Sequence, residues 1–334
     1  MPLRPQGGSV SLREEQCYVI KPMPFFRADE ELHALGNQVL EATWEKFTDL
    51  PRNKIALTWL VYDPPFPTNT GGALDAQTFW QYPVRGFSYR GMERIYPASI
   101  VKLFYLVACH EWLETGMLPP STELDRAMRD MIADSSNDAT SLVVDMLTGT
   151  TSGPELPPEP FETWKHQRNL VNRYFQSLDW LELETVNINQ KTWGDGPYGR
   201  ENIFVANQNR NMLTTDAVGR LIHSVMGGVA VTGLRSQQMA TLMKRSLDAK
   251  DLATDPENQI TGFLGSGLPN NAQIWSKAGW TSSVRHDAAY IELAQHHPYT
   301  LVVFTEGKTI SQSQEILPFI SEKIAAVVPP QDQI

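Results

Sequence analysis

Residues 97–116 read PASIVKLFYLVACHEWLETG, an apolar run that starts after a tyrosine and stops at a glycine. Glycine commonly follows the last turn of a helix, so the run predicts a helix over residues 99–113. Ser99 and Lys102 lie three positions apart at its start, and residues with that spacing share one face of a helix. The pattern therefore predicts that the Ser99 hydroxyl and the Lys102 amine can meet.

A serine and a lysine in this arrangement suit the roles of nucleophile and base. A serine hydroxyl attacks only when its proton is removed, and lysine removes it when desolvation or a nearby cation lowers the lysine pKa. The helix N-terminus adds N–H groups that can stabilise an oxyanion. Because a chain of 334 residues contains roughly one such pair by chance, an ordinary helix with a solvated lysine stays open at this point.

Two later stretches extend the pattern. Residues 135–137, Ser-Ser-Asn, form a polar loop between two predicted helices, where serine or asparagine would also serve as an ordinary helix cap. Residues 277–279, Lys-Ala-Gly, fall on a late strand, where a lysine among apolar residues is unusual unless it has a task. The glycine allows another chain or a ligand to approach that strand closely. We expect the three stretches to converge so that one hydroxyl faces two ammonium groups across a groove.

The order SxxK, SxN and KxG resembles the serine β-lactamases and penicillin-binding proteins, and specifically the class A-like branch. Residues 211–222 resemble the family's helix after its omega loop, residues 235–243 its next helix, and residues 284–288 its strand after KxG. The resemblance spans residues 32–328. It implies a serine hydrolase of the class A type that is acylated by β-lactam or related amide substrates and then hydrolysed.

The resemblance assigns roles around the acylation step. It implies that Ser99 is the acylated nucleophile, that Lys102 is its base, and that Ser135 passes a proton to the leaving nitrogen. Asn137 would hold the amide side chain of the substrate. Lys277 would anchor an acidic substrate and lower the pKa of Lys102.

The same resemblance places an oxyanion hole at the edge of the KxG strand. The backbone N–H groups of Ser99 and of Trp280, which follows Gly279, would donate to the oxyanion. The bulky Trp280 departs from the small residues usual at this position in class A. Arg285 is a candidate for binding a substrate carboxylate, and an ion pair with Asp287 or with a surface carboxylate is an equal alternative.

One element of the class A pattern is missing, namely the omega-loop glutamate of an ExxxN motif that activates the deacylating water. Counting forward from Thr185 places this position near Gln190 or Lys191, and counting back from Thr214 places it near Glu201. Glu201 is then either a catalytic base or a solvated surface charge. Without a base the acyl-enzyme would form and turn over slowly, which suits a penicillin-binding DD-peptidase or an ester hydrolase.

Composition limits the partners. The formal net charge of −10 argues against nucleic acid, because that binding depends on lysine and arginine neutralising phosphates. Cys17 and Cys109 are too few for a disulfide framework and fit no zinc spacing, so both are predicted to be buried thiols. We expect no metal and no cofactor, a small-molecule substrate, and a monomer.

The chain shows no signal-peptide-like apolar stretch in residues 1–11 and no run long enough to span a membrane. As written, it is expected to be cytoplasmic, whereas members of the resembled family are usually periplasmic or secreted.

Hydrophobic periodicity predicts a discontinuous fold. Strands are expected near both ends of the chain, over residues 55–62, 78–89, 273–278, 283–293 and 299–305, with a helical block between them that includes a helix over residues 164–175. We predict an α/β fold of the β-lactamase/transpeptidase type, in which helices flank an antiparallel sheet and a second domain is all-helical. The predicted domains are residues 1–95 with 223–334, and residues 96–222.

Three hypotheses for function remain open from the sequence. The first is a class A-like β-lactamase, and the second is a DD-peptidase or carboxylic-ester hydrolase on the same scaffold. The third is a binding protein that kept the fold without turnover, because a fold alone does not secure an activity.

Overall fold

A seven-stranded sheet organises the chain. The computed structural model describes residues 25–63, 68, 75–193, 196–206 and 209–331. The strands are β1 (Phe26–Ala28), β2 (Ile55–Val61), β3 (Val84–Tyr89), β4 (Lys244–Arg245), β5 (Gln273–Trp280), β6 (Val284–Glu292) and β7 (Tyr299–Glu306). They lie in the order β1-β3-β2-β7-β6-β5-β4. All neighbours are antiparallel except β1 and β3, which run parallel at one edge.

Within the described ranges, α-helices pack around this sheet. They are α1 (Glu30–Lys46), α2 (Ala76–Trp80), α3 (Lys102–Glu114), α4 (Thr122–Ile132), α5 (Asn137–Thr148), α6 (Pro158–Arg168), α7 (Leu170–Gln176), α8 (Arg200–Ala206), α9 (Thr215–Met226), α10 (Gly233–Met243), α11 (Ala249–Thr254), α12 (Lys308–Gln312) and α13 (Ile316–Val327). A short 3-10 turn, Ala98–Val101, leads directly into α3.

The sheet is covered on both faces. Along the fully buried strand β2, Leu57 and Trp59 belong to one apolar cluster, whereas Ala56 and Leu60 belong to the other. This division follows from the alternation of side chains along a strand. Residues of α1 and α13 complete the first cluster, and residues of α3 and α9 complete the second. The site described below lies on the side of the second cluster.

The predicted fold class is confirmed, since helices flank a sheet that is antiparallel apart from its β1–β3 pair. Two local predictions are wrong. The strand expected over residues 78–89 is α2 followed by β3, because the Asp75 carboxylate caps a helix by accepting from the Thr78 N–H at 2.9 Å. The helix expected over residues 164–175 is divided into α6 and α7, which meet at Asn169.

Helix α9 bears on the predicted domain boundary. It packs on the sheet, where Thr58 of β2 donates a hydrogen bond to the Asp216 carboxylate at 2.6 Å. A Cβ added at Gly219 would lie 3.4 Å from the Thr58 methyl group. The predicted boundary between residues 222 and 223 thus falls inside a helix, and the two-domain division stays a prediction.

Other expectations concern the ends and the cysteines. Cys109 is a free thiol, fully buried on α3 as predicted. Residues 1–11 and Cys17 lie outside the described residues. In the ranges that the structure describes, no helix has the length and apolar character needed to cross a membrane.

Candidate active site

The turn that carries Ser99 has a strained backbone. Ala98, directly before it, has a φ of +47°, in the left-handed region that non-glycine residues rarely adopt. Such strain persists only where the surrounding structure enforces it, and it clusters at functional sites. Ser99 itself is half-buried, and Lys102, the first residue of α3, is fully buried. The chain therefore holds a partly accessible hydroxyl one turn before a desolvated amine.

Lys102 points from α3 towards the loop that begins α5. Its Nζ donates to the carbonyl oxygen of Ser135 at 2.5 Å, to the Ser135 hydroxyl at 3.1 Å and to Oδ1 of Asn137 at 3.0 Å. Burial lowers the pKa of Lys102 to about 7, because desolvation disfavours the charged amine. The Lys102 amine makes no hydrogen bond to the Ser99 hydroxyl, and the two residues are joined through the backbone, where the Lys102 N–H donates to the Ser99 carbonyl.

Lys277 reaches the same serine from strand β5. Its Nζ donates to the Ser135 hydroxyl at 2.9 Å, to Oε1 of Gln259 at 2.5 Å and to the carbonyl oxygen of Ala278 at 2.8 Å. The structure thus brings one hydroxyl between two lysine side chains, and that hydroxyl belongs to Ser135. Ser135 has a φ of +55° and is a second strained residue of the site.

Neither lysine donates a hydrogen bond to a carboxylate within the described chain. Desolvation lowers the pKa of Lys277 well below its usual value, and the charges of Lys102 and Arg245 act in the same direction, opposed by Asp287. Burial raises the pKa of Asp287 to about 6. Because both lysines give up a proton more readily than an exposed lysine, the cluster is suited to acid–base chemistry.

Gly279 lies against the Ser99 turn. A Cβ at this position would lie 3.1 Å from the Ser99 nitrogen and 2.8 Å from the Pro97 carbonyl oxygen, and the second distance is shorter than real Cβ contacts. Strand β4 pairs with β5 at Trp275 and Ile274, so the later part of β5 has no neighbouring strand on that side among the described residues. The glycine is what allows this part of the strand to approach the Ser99 turn.

The backbone of Trp280 faces this unpaired edge. In an antiparallel pair, the N–H groups of alternate residues point to the same neighbour. Thr281 donates to the Val284 carbonyl across the hairpin at 2.9 Å, so the N–H of Trp280 points away from β6. The N–H of Ala278 has the same parity and donates to Gln259 at 3.1 Å. The N–H of Trp280 therefore points away from β6, and Gly279, the residue before it, packs against the Ser99 turn.

The side chains of Trp280 and Arg285 lie on the other face of the sheet. The two residues are paired across β5 and β6, three positions along β5 from Lys277, and alternate residues of a strand point to opposite faces. Indole Nε1 of Trp280 and Nε of Arg285 both donate to the Ser311 carbonyl at 2.9 Å. The guanidinium also stacks on Phe263, at 4.7 Å from the ring centroid. These contacts favour a structural role for Arg285, and its binding of a substrate carboxylate stays a prediction.

Glu201 is fully buried on α8 and is not a solvated surface charge. Its Oε1 accepts from Nη2 of the buried Arg168 at 2.7 Å and from the Ser152 hydroxyl at 2.9 Å. Arg168 also donates to Asp145 at 3.1 Å. The carboxylate is therefore engaged in an ion-pair network of the helical block.

Counting forward from Thr185 reaches Gln190 and Lys191, and both of these side chains are hydrogen-bonded as well. Gln190 donates through its amide to the Asn209 carbonyl at 2.6 Å and accepts from the Asn211 N–H at 3.0 Å. Lys191 donates to Asp145 at 2.6 Å. Of the three positions reached by counting, only position 201 carries a carboxylate, and that carboxylate is paired with Arg168.

Gln259 and Arg245 contact the site and escaped the sequence analysis. Gln259 accepts from Lys277, and Arg245 donates to the Ser276 carbonyl at 3.0 Å, one residue before that lysine. No sequence motif includes either residue, since Gln259 lies in a polar loop and Arg245 follows a helix. Only their burial beside the lysine of KxG identifies them.

The donor set favours no metal. In the part of the chain that the structure describes, no three histidine, cysteine or acidic side chains come together as metal ligands. The chemistry open to the site is that of a serine hydroxyl, two lysines of lowered pKa, and backbone N–H donors.

Solved structures show the same fold at low sequence identity. A β-lactamase from Sphaerobacter thermophilus is 16% identical, with a TM-score of 0.59, covering 88% of this chain and 99% of that one. A variant of PBP-A, solved as an acyl-enzyme complex with penicillin G, is 14% identical, with a TM-score of 0.60 and coverage of 91% and 98%. A class A β-lactamase described as the last common ancestor of Gram-negative bacteria is 16% identical, with a TM-score of 0.55 and coverage of 88% and 98%.

A search of curated protein sequences finds no significant match. The family model described as the beta-lactamase enzyme family matches residues 118–328, which is more than half of the chain. The match includes Ser135, Asn137 and Lys277, whereas Ser99 and Lys102 precede it. With the fold and the clustering of these residues, this match shows that the chain belongs to the beta-lactamase enzyme family.

Proposed function

We propose that this protein is a serine hydrolase that is acylated at Ser99 by β-lactams or related amides. The observation that carries the proposal is the position of the Ser135 hydroxyl, 3.1 Å from Nζ of Lys102 and 2.9 Å from Nζ of Lys277. A hydroxyl held between two amines of lowered pKa can accept a proton from one and donate to the other. The Ser99 turn packs directly against the strand that carries Lys277.

In the proposed acylation, Ser99 Oγ attacks the carbonyl carbon of the substrate while its proton passes to neutral Lys102. Catalytic hydrogen bonds often tighten only when substrate is bound, which accommodates the absence of a hydrogen bond between the Ser99 hydroxyl and the Lys102 amine. The negative oxygen of the tetrahedral intermediate accepts from the N–H groups of Ser99 and Trp280. When the C–N bond breaks, the nitrogen takes a proton from Ser135, which regains one from Lys102.

Substrate recognition is assigned to the same groove. The Asn137 amide would hold the acyl side chain of the substrate, and the Lys277 ammonium would attract its acidic group. Asn137 is already turned to the groove, since its Oδ1 accepts from Lys102.

Deacylation requires water to attack the ester carbon of acyl-Ser99, with release of the acid product and return of the proton to Ser99. The side chains of Gln190, Lys191 and Glu201 are all bonded elsewhere. We therefore propose that the acyl-enzyme breaks down slowly. This feature favours a second candidate function on the same scaffold, a penicillin-binding DD-peptidase or carboxylic-ester hydrolase.

Intact-mass spectrometry after exposure to benzylpenicillin tests the acylation step. Wild type should gain one penicilloyl group and Ser99→Ala none, and a wild type that neither gains mass nor hydrolyses nitrocefin would overturn the proposal. The decay of the adduct separates the two candidates. An adduct that persists for minutes or longer supports the penicillin-binding candidate, whereas rapid release with turnover of nitrocefin supports an efficient β-lactamase.

A further inference from the structure

Gln259 lies beside the candidate active site, between the helical block and the sheet. It is buried, with 7% of its surface exposed. Its amide Nε2 donates to the carbonyl oxygens of Ile132 at 3.0 Å and Ala133 at 2.8 Å. Its Oε1 accepts from Nζ of Lys277 and from the N–H of Ala278. One side chain thus contacts the end of α4 and the edge of β5.

The orientation of this amide is determined by its neighbours. Both groups beside Oε1 are donors, and both groups beside Nε2 are acceptors. A rotated amide would place its NH2 group against an ammonium and an N–H, and its oxygen against two carbonyl oxygens. All four hydrogen bonds of the amide are satisfied in only one orientation, so the side chain has little freedom to turn.

Arg245 of β4 reinforces the same connection. Its guanidinium donates to the Ala133 carbonyl at 3.0 Å, to the Ile132 carbonyl at 2.7 Å and to the Ser276 carbonyl at 3.0 Å. Two side chains from the sheet side therefore bind the same pair of carbonyls at the end of α4. The loop that carries Ser135 begins immediately after these carbonyls.

We infer that Gln259 is a positioning residue, whose amide holds the Lys277 ammonium against the Ser135 hydroxyl and ties the Ser135 loop to strand β5. The inference rests on the proposed function, because it assigns Gln259 to the geometry of the proposed acylation. Misplacement of a catalytic group by about 1 Å can reduce a rate by about a hundredfold.

The Gln259 amide is neutral and adds no negative charge beside the Lys277 ammonium. The charged groups that face Lys277 are Lys102 from α3, Arg245 from β4 and Asp287 from β6. A carboxylate in place of the Gln259 amide would lie within hydrogen-bond distance of the ammonium and would favour its charged form. Gln259→Glu should therefore raise the pKa of Lys277.

Two measurements test the inference. In protein labelled with 13C and 15N at lysine, with the Lys277 signal assigned from Lys277→Arg, Gln259→Glu should raise the Lys277 pKa by about one unit or more. Gln259→Leu should slow acylation by benzylpenicillin at least tenfold. Gln273→Leu is the matched control, because Gln273 is an exposed glutamine on β5, the strand that carries Lys277, and accepts from Lys244 at 3.3 Å. It should leave both quantities unchanged.

An unchanged Lys277 pKa in Gln259→Glu overturns the inference, and so does a Gln259→Leu acylation rate within about twofold of wild type. Circular dichroism at the assay temperature shows that each variant is folded. If wild type is not acylated at all, the proposed function fails, and the titration of Lys277 still decides the role of Gln259.

Discussion

Two clusters of buried cations in this molecule differ in what surrounds them. At the candidate active site, Lys102 and Lys277 donate to hydroxyl, carbonyl and amide oxygens. In the helical block, Arg168 and Lys191 donate to the carboxylates of Asp145 and Glu201. The four cationic side chains are nearly inaccessible to solvent in both clusters.

This difference assigns acid–base chemistry to the first cluster and a structural role to the second. A buried amine without a carboxylate partner has a lowered pKa, as Lys102 and Lys277 have, and can act as a base, as Lys102 is proposed to do. A buried cation with a carboxylate partner keeps its charge matched, and removing either partner leaves an uncompensated charge. Glu201 belongs to the second kind, which is why we do not propose it as the deacylation base.

The largest expected effect comes from removing one lysine of each cluster. Lys102→Met should slow acylation by about 10²- to 10⁴-fold, the usual contribution of a general base. Lys191→Met, a matched loss of a buried lysine, should change the acylation rate less than about threefold. Stopped-flow or quenched mass spectrometry measures both rates, and equal effects of the two substitutions would remove the distinction between the clusters.

Removing the arginine of the paired cluster should instead reduce stability. Arg168→Met leaves Glu201 buried with Ser152 as its described partner, and breaking a buried pair in this way costs about 3–5 kcal/mol of unfolding free energy. Arg126→Met is the control, because its pairs with Glu123 and Asp130 are on the surface and should be worth less than about 1 kcal/mol. Urea denaturation compares the two, and similar midpoints would contradict the prediction.

The smallest expected effect is that of pH on acylation. Lys102 acts as a base only when neutral and has a pKa of about 7, so the rate should rise with pH up to about 7 and level off above it. Below that value the rate should fall about tenfold per pH unit. Because the unfolded chain keeps the Lys102 proton up to its ordinary pKa of 10.5, the contribution of this group to stability rises with pH from about 7 to 10.5. A flat rate profile between pH 5 and 8 would contradict the role of Lys102.

Much of the site could be predicted from local spacing. Ser99 and Lys102 lie three positions apart at a helix start, and the alternation of side chains along β2 follows from strand geometry. The order of the three motifs was enough to place Ser135, Asn137 and Lys277 in one groove. The first two features depend on near neighbours in the chain, which the sequence shows directly, whereas the meeting of Ser135 and Lys277 was predicted from the family resemblance.

The burial of a side chain and the groups that it contacts depend on residues far away in the chain. These properties could not be predicted from the sequence. Glu201 looked like a base or a surface charge until Arg168 was seen beside it. Gln259 carried no motif, and its role follows from packing between β5 and the end of α4. The residue types and their order thus established the fold class and the candidate nucleophile. Which buried charges are paired was decided only by tertiary packing, because desolvation and pairing energies arise where segments far apart in the chain come into contact.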